Sequence, residues 1–287
     1  MVCHQVFKKI HVGDFIYETN VFHPGRSDFR RSHYHQSEVW SVVTLISVHL
    51  PKTAGTSFRL SLREYFGEGY RDDYADGGLH RSTRDRCTLA IAAARTIDAQ
   101  GLGDVACIHG HFMPVKYLLL STRSPLTYVT WLRDPIERLL SHYYYWQESY
   151  DKATSAPHHR QVIEEGWTLE QFCLSERFRN LYTQYLWGFP LESFAFIGIT
   201  EFYREDIVEF GERFLGHALP LHRLNASVHS QLPKCFDKAF LQRVRAFHSA
   251  DVQLYRRAVD MRSERHREGL MRRDVLFLEA ANDAKHA

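Results

Sequence analysis

Val42-Val43-Thr44-Leu45-Ile46-Ser47-Val48 runs directly into His49-Leu50-Pro51-Lys52-Thr53-Ala54-Gly55-Thr56-Ser57, and the residues after it are apolar at Phe58, Leu62, Tyr65 and Phe66. The β-branched run predicts a strand, the small residues a tight loop, and the spaced apolar residues an amphipathic helix. Strand, loop and helix in that order form an anion-binding layout. The first backbone N–H groups of a helix have no internal partner and sit at the positive end of its dipole, so a phosphate or sulfate can be held there. Gly55 lets the backbone approach such a ligand, while Lys52, Thr53, Thr56 and Ser57 add a cation and three hydroxyls. A nucleoside-triphosphatase loop places its lysine after the last glycine. Here lysine comes first.

Two further segments carry chemistry. Leu126-Thr127-Tyr128-Val129-Thr130-Trp131-Leu132 reads as a second buried strand, and Arg133-Asp134-Pro135-Ile136-Glu137 is a helix start, with Asp at the cap, Pro at the first helical position and Glu three after the cap. At 100° and 1.5 Å per residue, Ser141 lies roughly 10 Å along that helix from Asp134 and on nearly the same face. Its hydroxyl and the strand-end Arg133 are thereby expected to converge on one anion. Between the two motifs, the short apolar run Val105-Ala106-Cys107-Ile108 ends in His109-Gly110-His111-Phe112. Residues two apart in an extended segment point to the same side, so both histidines are expected to face the ligand. Taken alone, such a pair is equally a feature of packed cores and of metal sites.

PKTAGTS, Pro51 to Ser57, resembles the 5′-phosphosulfate loop of sulfotransferases that use 3′-phosphoadenosine 5′-phosphosulfate (PAPS) as donor. WLRDPIERLLSHYYY, Trp131 to Tyr145, is similar to the 3′-phosphate site of the same superfamily, whose arginine and serine stand here as Arg133 and Ser141. His109-Gly110-His111 resembles a segment of the carbohydrate branch, the heparan sulfate 2-O-type enzymes, and the chain looks like a soluble, bacterial-like member. The resemblance covers roughly residues 41 to 260, including Ser193 to Glu201 as a later strand, Ile207 to Phe210 as a helix, and Phe236 to Met261 as a closing helix. It implies a P-loop-like sulfotransferase fold, with Lys52, Thr53, Ala54, Gly55, Thr56, Ser57, Arg133 and Ser141 on the donor. It also implies Lys52 and His111 as catalytic groups, with His111 as general base and His109 orienting it or holding the acceptor. Removing an alcohol proton as its oxygen attacks sulfur suits a group that titrates near neutrality. The implied acceptor is a hydroxyl, most directly on a glycan, and no metal is expected. The other classes open to this pattern are a P-loop-type nucleotide or small-molecule kinase and a nucleotide- or glycan-binding module without turnover.

Alternating strands and helices, with the ligand loop after the first strand, predict an α/β three-layer sandwich with a mostly parallel central sheet and the ligand at the carboxyl ends of the strands. The expected division is a lead segment over 1–40, the enzyme domain over 41–265 and a polar tail over 266–287. The chain has 287 residues, 44% of them hydrophobic, which suffices for a large single core. No apolar run approaches the ~18–20 residues that cross a bilayer, and no signal peptide is evident, so a cytoplasmic location and no stable membrane insertion are expected. Five cysteines without C-x-x-C spacing read as free thiols. A net charge of +2 argues against a nucleic-acid binder. Positive potential is instead expected to be local, from Lys52, Arg133 and Arg138 with Arg59 and Arg63, whereas Arg81, Arg84 and Arg86 read as a solvated run. Residues 67–88 and 150–166 read as loops, with an Ala-rich helix around Thr88 to Gln100. His33-Tyr34-His35 and the Asn225-Ala226-Ser227 sequon carry no firm function. Oligomeric state is not legible.

Overall fold

The computed structural model describes residues 7–12, 15–20, 43–76, 81–220, 222 and 236–286. Most of the lead segment, the His33-Tyr34-His35 pair, the sequon, Cys3 and Cys235 lie outside the described residues. Within the lead segment, β1 (Phe7–Val12) and β2 (Phe15–Asn20) pair antiparallel, with Phe7 opposite Asn20 and Val12 opposite Phe15.

The main sheet has five strands, all parallel, in the order β4-β5-β3-β6-β7. They are β3 (Thr44–Val48), β4 (Tyr70–Asp72), β5 (Cys107–Gly110), β6 (Leu126–Leu132) and β7 (Phe196–Ile199). β3, buried along its whole length, is the central strand. Alternate residues serve opposite faces, as the pleat requires. Leu45, Val129, Trp131 and Phe196 pack with Phe58 and Leu62 of α1 (Gly55–Phe66) and with Ile207 and Phe210 of α8 (Tyr203–Phe210). Ile46, Val48, Ile108, Leu132 and Ile197 pack on the other side with Tyr182 and Tyr185 of α7 (Leu181–Tyr185) and Ala258 of α10 (Ser249–His286). Ile97 of α2 (Thr83–Gln100) joins that second layer. The chain is therefore an α/β three-layer sandwich around a parallel sheet, as its pattern predicts. A third cluster joins α4 (Pro135–Ser149), α5 (Pro157–Glu164), α6 (Leu169–Cys173) and α9 (Lys238–Phe247), while α3 (Val115–Leu118) links β5 toward β6.

Several segments differ from the sequence reading. Residues 67–88 contain the edge strand β4, too short to show a period, and α2 begins at Thr83 because Ser82 caps it by accepting from the Asp85 N–H at 3.1 Å. Residues 150–166 contain α5, which starts on Pro157 and buries His158 and His159. The closing helix is broken at His248, whose ring bridges two other elements. Nδ1 accepts from the Asn180 N–H at 3.2 Å, and Nε2–H donates to the Cys173 carbonyl at 2.7 Å. α10 is clamped to the sheet by buried Asp206, which accepts from the Ile199 N–H at 2.8 Å and from Arg262 Nε at 2.7 Å. Arg86 is buried rather than solvated and donates to Gln184 Oε1 at 3.2 Å.

Candidate active site

The loop between β3 and α1 carries two non-glycine residues in the left-handed region, Lys52 at φ 67° and Ala54 at φ 64°. Such backbone is uncommon outside glycine and costs energy that the surrounding structure must offset. Thr53 between them is fully buried, and its hydroxyl is taken up by the Leu50 carbonyl at 2.8 Å. Its part in the loop is therefore structural. Ala54 occupies the cap position of α1 without a capping side chain, and the first turn holds no acidic residue. The helix N-terminus is thus left to whatever anion the site receives. Thr56 stands exposed on that turn, and Ser57 is buried within it.

Lys52 Nζ lies 3.7 Å from the centre of the Tyr145 ring, on α4. Burial, with the neighbouring Arg133 charge, lowers its pKa to about 8, against a smaller opposing effect of Glu148. No carboxylate lies within salt-bridge distance of it among the described residues. Arg133 follows β6 and is half-buried, with a loose contact to Glu137 at 3.7 Å. Its backbone is fixed by the Tyr182 hydroxyl, which donates to the Arg133 carbonyl at 2.7 Å. Asp134 caps α4 by accepting from the Ile136 and Glu137 N–H groups at 2.9 and 3.1 Å, as the sequence predicts. Ser141 is half-buried on the same helix and takes no hydrogen-bond partner among the described residues. Of the other cations expected to add to the local potential, Arg59 is bonded to Asp72 through both carboxylate oxygens, and Arg138 is fully buried.

β5 brings the two histidines to the same side, and β3 adds a third. The pairing of Ser47 with His109 continues past the strand as a bond from the His49 N–H to the Gly110 carbonyl at 2.8 Å. His49 is thereby level with His111, and their rings stack with centres 4.2 Å apart, while His49 and His109 are 5.0 Å apart. His111 Nδ1 lies 2.5 Å from the His49 carbonyl, which can only accept, so the Nδ1 proton is present and the lone pair is on Nε2. Burial lowers the His111 pKa to about 4. His109, 1% exposed, pairs its Nδ1 with Ser47 Oγ at 2.8 Å, and burial with the neighbouring His111 lowers its pKa to about 3. The more open of the two is His111.

Tyr145, Tyr182, Tyr74 and His49 were not among the residues singled out as site groups. His49 had a legible signal, since it directly precedes the loop. Tyr145 lies in the Trp131 to Tyr145 motif, whereas Tyr74 and Tyr182 had no signal, because each arrives from a separate segment. Among the described residues, Asp206, Glu209 and His266 bring potential metal-ligand atoms within 4.8 Å of one another, but Arg262 and Arg265 already pair with the two carboxylates.

No protein-family model matches the chain, and no curated protein matches it in sequence. Among solved structures it is similar to mouse sulfotransferase SULT7A1 complexed with PAP, at 9% identity and TM-score 0.31, over 61% of this chain and 57% of that one. The chain thus spans less than two thirds of that neighbour. It is also similar to a sulfotransferase from Alicyclobacillus acidocaldarius, at 14% identity and TM-score 0.37, over 74% of this chain and 93% of that one. Overlaps this loose carry no weight for activity, which has to be argued from the site.

Proposed function

We propose that the chain is a sulfotransferase that moves a sulfuryl group from PAPS to a hydroxyl, most directly on a carbohydrate. One observation carries the reading: a helix N-terminus without a side-chain cap and Lys52, with no acid paired to it among the described residues, stand beside Arg133 and a neutral histidine whose lone pair is fixed on Nε2. The α1 amides and Thr56 would hold the phosphosulfate, and Arg133 with Ser141 the 3′-phosphate. In the transfer, the acceptor oxygen bonds to sulfur as the bond from sulfur to the bridging phosphate oxygen breaks. The acceptor proton passes to His111 Nε2, and the product nucleotide keeps the bridging oxygen, whose growing charge Lys52 offsets. The scheme needs no metal ion. The carbohydrate part rests on the likeness of His109-Gly110-His111 to the glycan-modifying branch. Cys87, Cys107 and Cys173 are buried free thiols, which fits a cytoplasmic, reducing compartment.

Incubation with labelled PAPS and a panel of glycans, phenols and lipids in the presence of a chelator tests the reading, with sulfated product detected by mass spectrometry. Product on a glycan is expected. Binding of PAP without product on any acceptor identifies a binding module, and magnesium-dependent transfer from ATP identifies a kinase. Arg133→Ala is expected to weaken PAP by roughly 10- to 150-fold, as the loss of one charge-assisted contact of ~1.5–3 kcal/mol implies, and Ser141→Ala by less. AMP, which lacks the 3′-phosphate, should bind both variants as it binds the wild type.

A further inference from the structure

His49 has no role in the scheme above, yet its ring is held on every side. It stacks on His111 and His109, and Nδ1 meets the Tyr74 hydroxyl at 3.2 Å. The opposite edge lies over the first residue of α1. A Cβ added at Gly55 would stand 1.8 Å from His49 Nε2 and 1.9 Å from Cδ2, so glycine is required there by the imidazole. A positive φ is not the reason, since Gly55 is not among the left-handed residues. His49 Nε2 takes no partner among the described residues, and the residue is half-buried. Burial, followed by the charges of His111 and His109, holds the ring well below its ordinary pKa. The Nδ1 contact allows either direction, and in the arrangement in which the Tyr74 hydroxyl donates to Nδ1 the neutral ring carries its own proton on Nε2.

We propose that His49 is a catalytic residue of this reaction, donating its Nε2–H to a sulfuryl oxygen at the head of α1. It keeps that proton throughout. The bond from sulfur to the bridging phosphate oxygen breaks, the bond to the acceptor oxygen forms, and the acceptor proton goes to His111. His49 serves only to stabilise negative charge on the group in flight. This assignment rests on the sulfotransferase reading.

Calorimetry with PAP and with PAPS on the full chain, compared among wild type, His49→Phe and His49→Gln, tests it. PAP has no sulfuryl group, so its Kd should agree within about twofold across the three proteins. The affinity for PAPS relative to PAP should fall in His49→Phe, which keeps the stacked ring but has no N–H. His49→Gln, whose amide restores a donor, should recover most of it. Transfer should fall on the order of 10²–10³ in the Phe variant and recover with Gln. Parallel changes in PAP and PAPS, or a Gln variant no better than Phe, would overturn the assignment and leave His49 a prop for His111. A wild type that binds neither nucleotide removes the sulfotransferase reading itself, and the His49 role with it.

Discussion

Lys52 and His111 give the site opposite pH limits. The ammonium is charged below its pKa of about 8, so PAP affinity of the free protein is expected to be full below that value and to decline as pH rises through it. Titration of PAP between pH 6.5 and 9.5 checks this, and Lys52→Arg should abolish the decline. Lys52→Ala should lose on the order of 10²–10³ in turnover, because the charge it offsets grows only as the bridge breaks. His111, with a pKa of about 4, is already neutral at physiological pH, so the acidic limb of kcat/KM is expected near pH 4 and not near neutrality. His111→Ala should keep PAP affinity within a few-fold and lose roughly 10²–10⁴ in rate, with His109→Ala losing less. Equal losses in the two variants would send the search for a base elsewhere. Spacing alone made it legible that both histidines share one side. Their difference was not, because it comes from the end of β5: His109 lies inside the strand under Phe58, and His111 just beyond it.

At the scale of elements, the two helices that frame the site begin in opposite ways. α4 opens on Asp134, which satisfies two amides, followed by Pro135, and five consecutive residues wrote that start into the sequence. α1 opens on Ala54 with no side chain capping it. Asp134→Ala should therefore cost about 1 kcal/mol of stability, within the 0.5–2 kcal/mol usual for a lost cap, measurable by urea unfolding. The strand, loop and helix around Lys52 and Gly55 were legible from the residue pattern, but the left-handed residues at 52 and 54 were not, since neither is of a type that favours that backbone. β4 and α5 escaped the sequence reading for a related reason. A three-residue edge strand and an eight-residue helix are shorter than the window in which a period can be seen.

For the molecule as a whole, the layer order followed from the alternation of strands and helices, whereas the seats of buried polar groups did not. His109 and His248 are buried as neutral rings with pKa values of about 3 and about 4, burial being the main cause in each. The unfolded chain protonates such residues near pH 6.5, so it takes up protons that the folded state refuses. Stability is therefore expected to be full above about pH 6.5 and to fall as pH drops toward 4. The two residues together account for up to about 3 kcal/mol per pH unit, at ~1.4 kcal/mol per unit each. Urea unfolding at pH 7, 6 and 5 checks the slope, and a flat profile would show that these rings are protonated in the fold. The position of β3 has a consequence for how the molecule is made. Its neighbours stand far along the chain: Ser47 meets His109 across 62 residues, and Val48 meets Thr130 across 82. Contacts at such separation close slowly, and an unpaired apolar strand is a template for association with other chains. During synthesis Thr44–Val48 emerges before the other four strands of the sheet, with one edge bare until Cys107–Gly110 has left the ribosome and the other until Leu126–Leu132 has. The sheet is thus completed outward from its oldest strand, and the yield of folded protein depends on how well that strand is shielded in the interval.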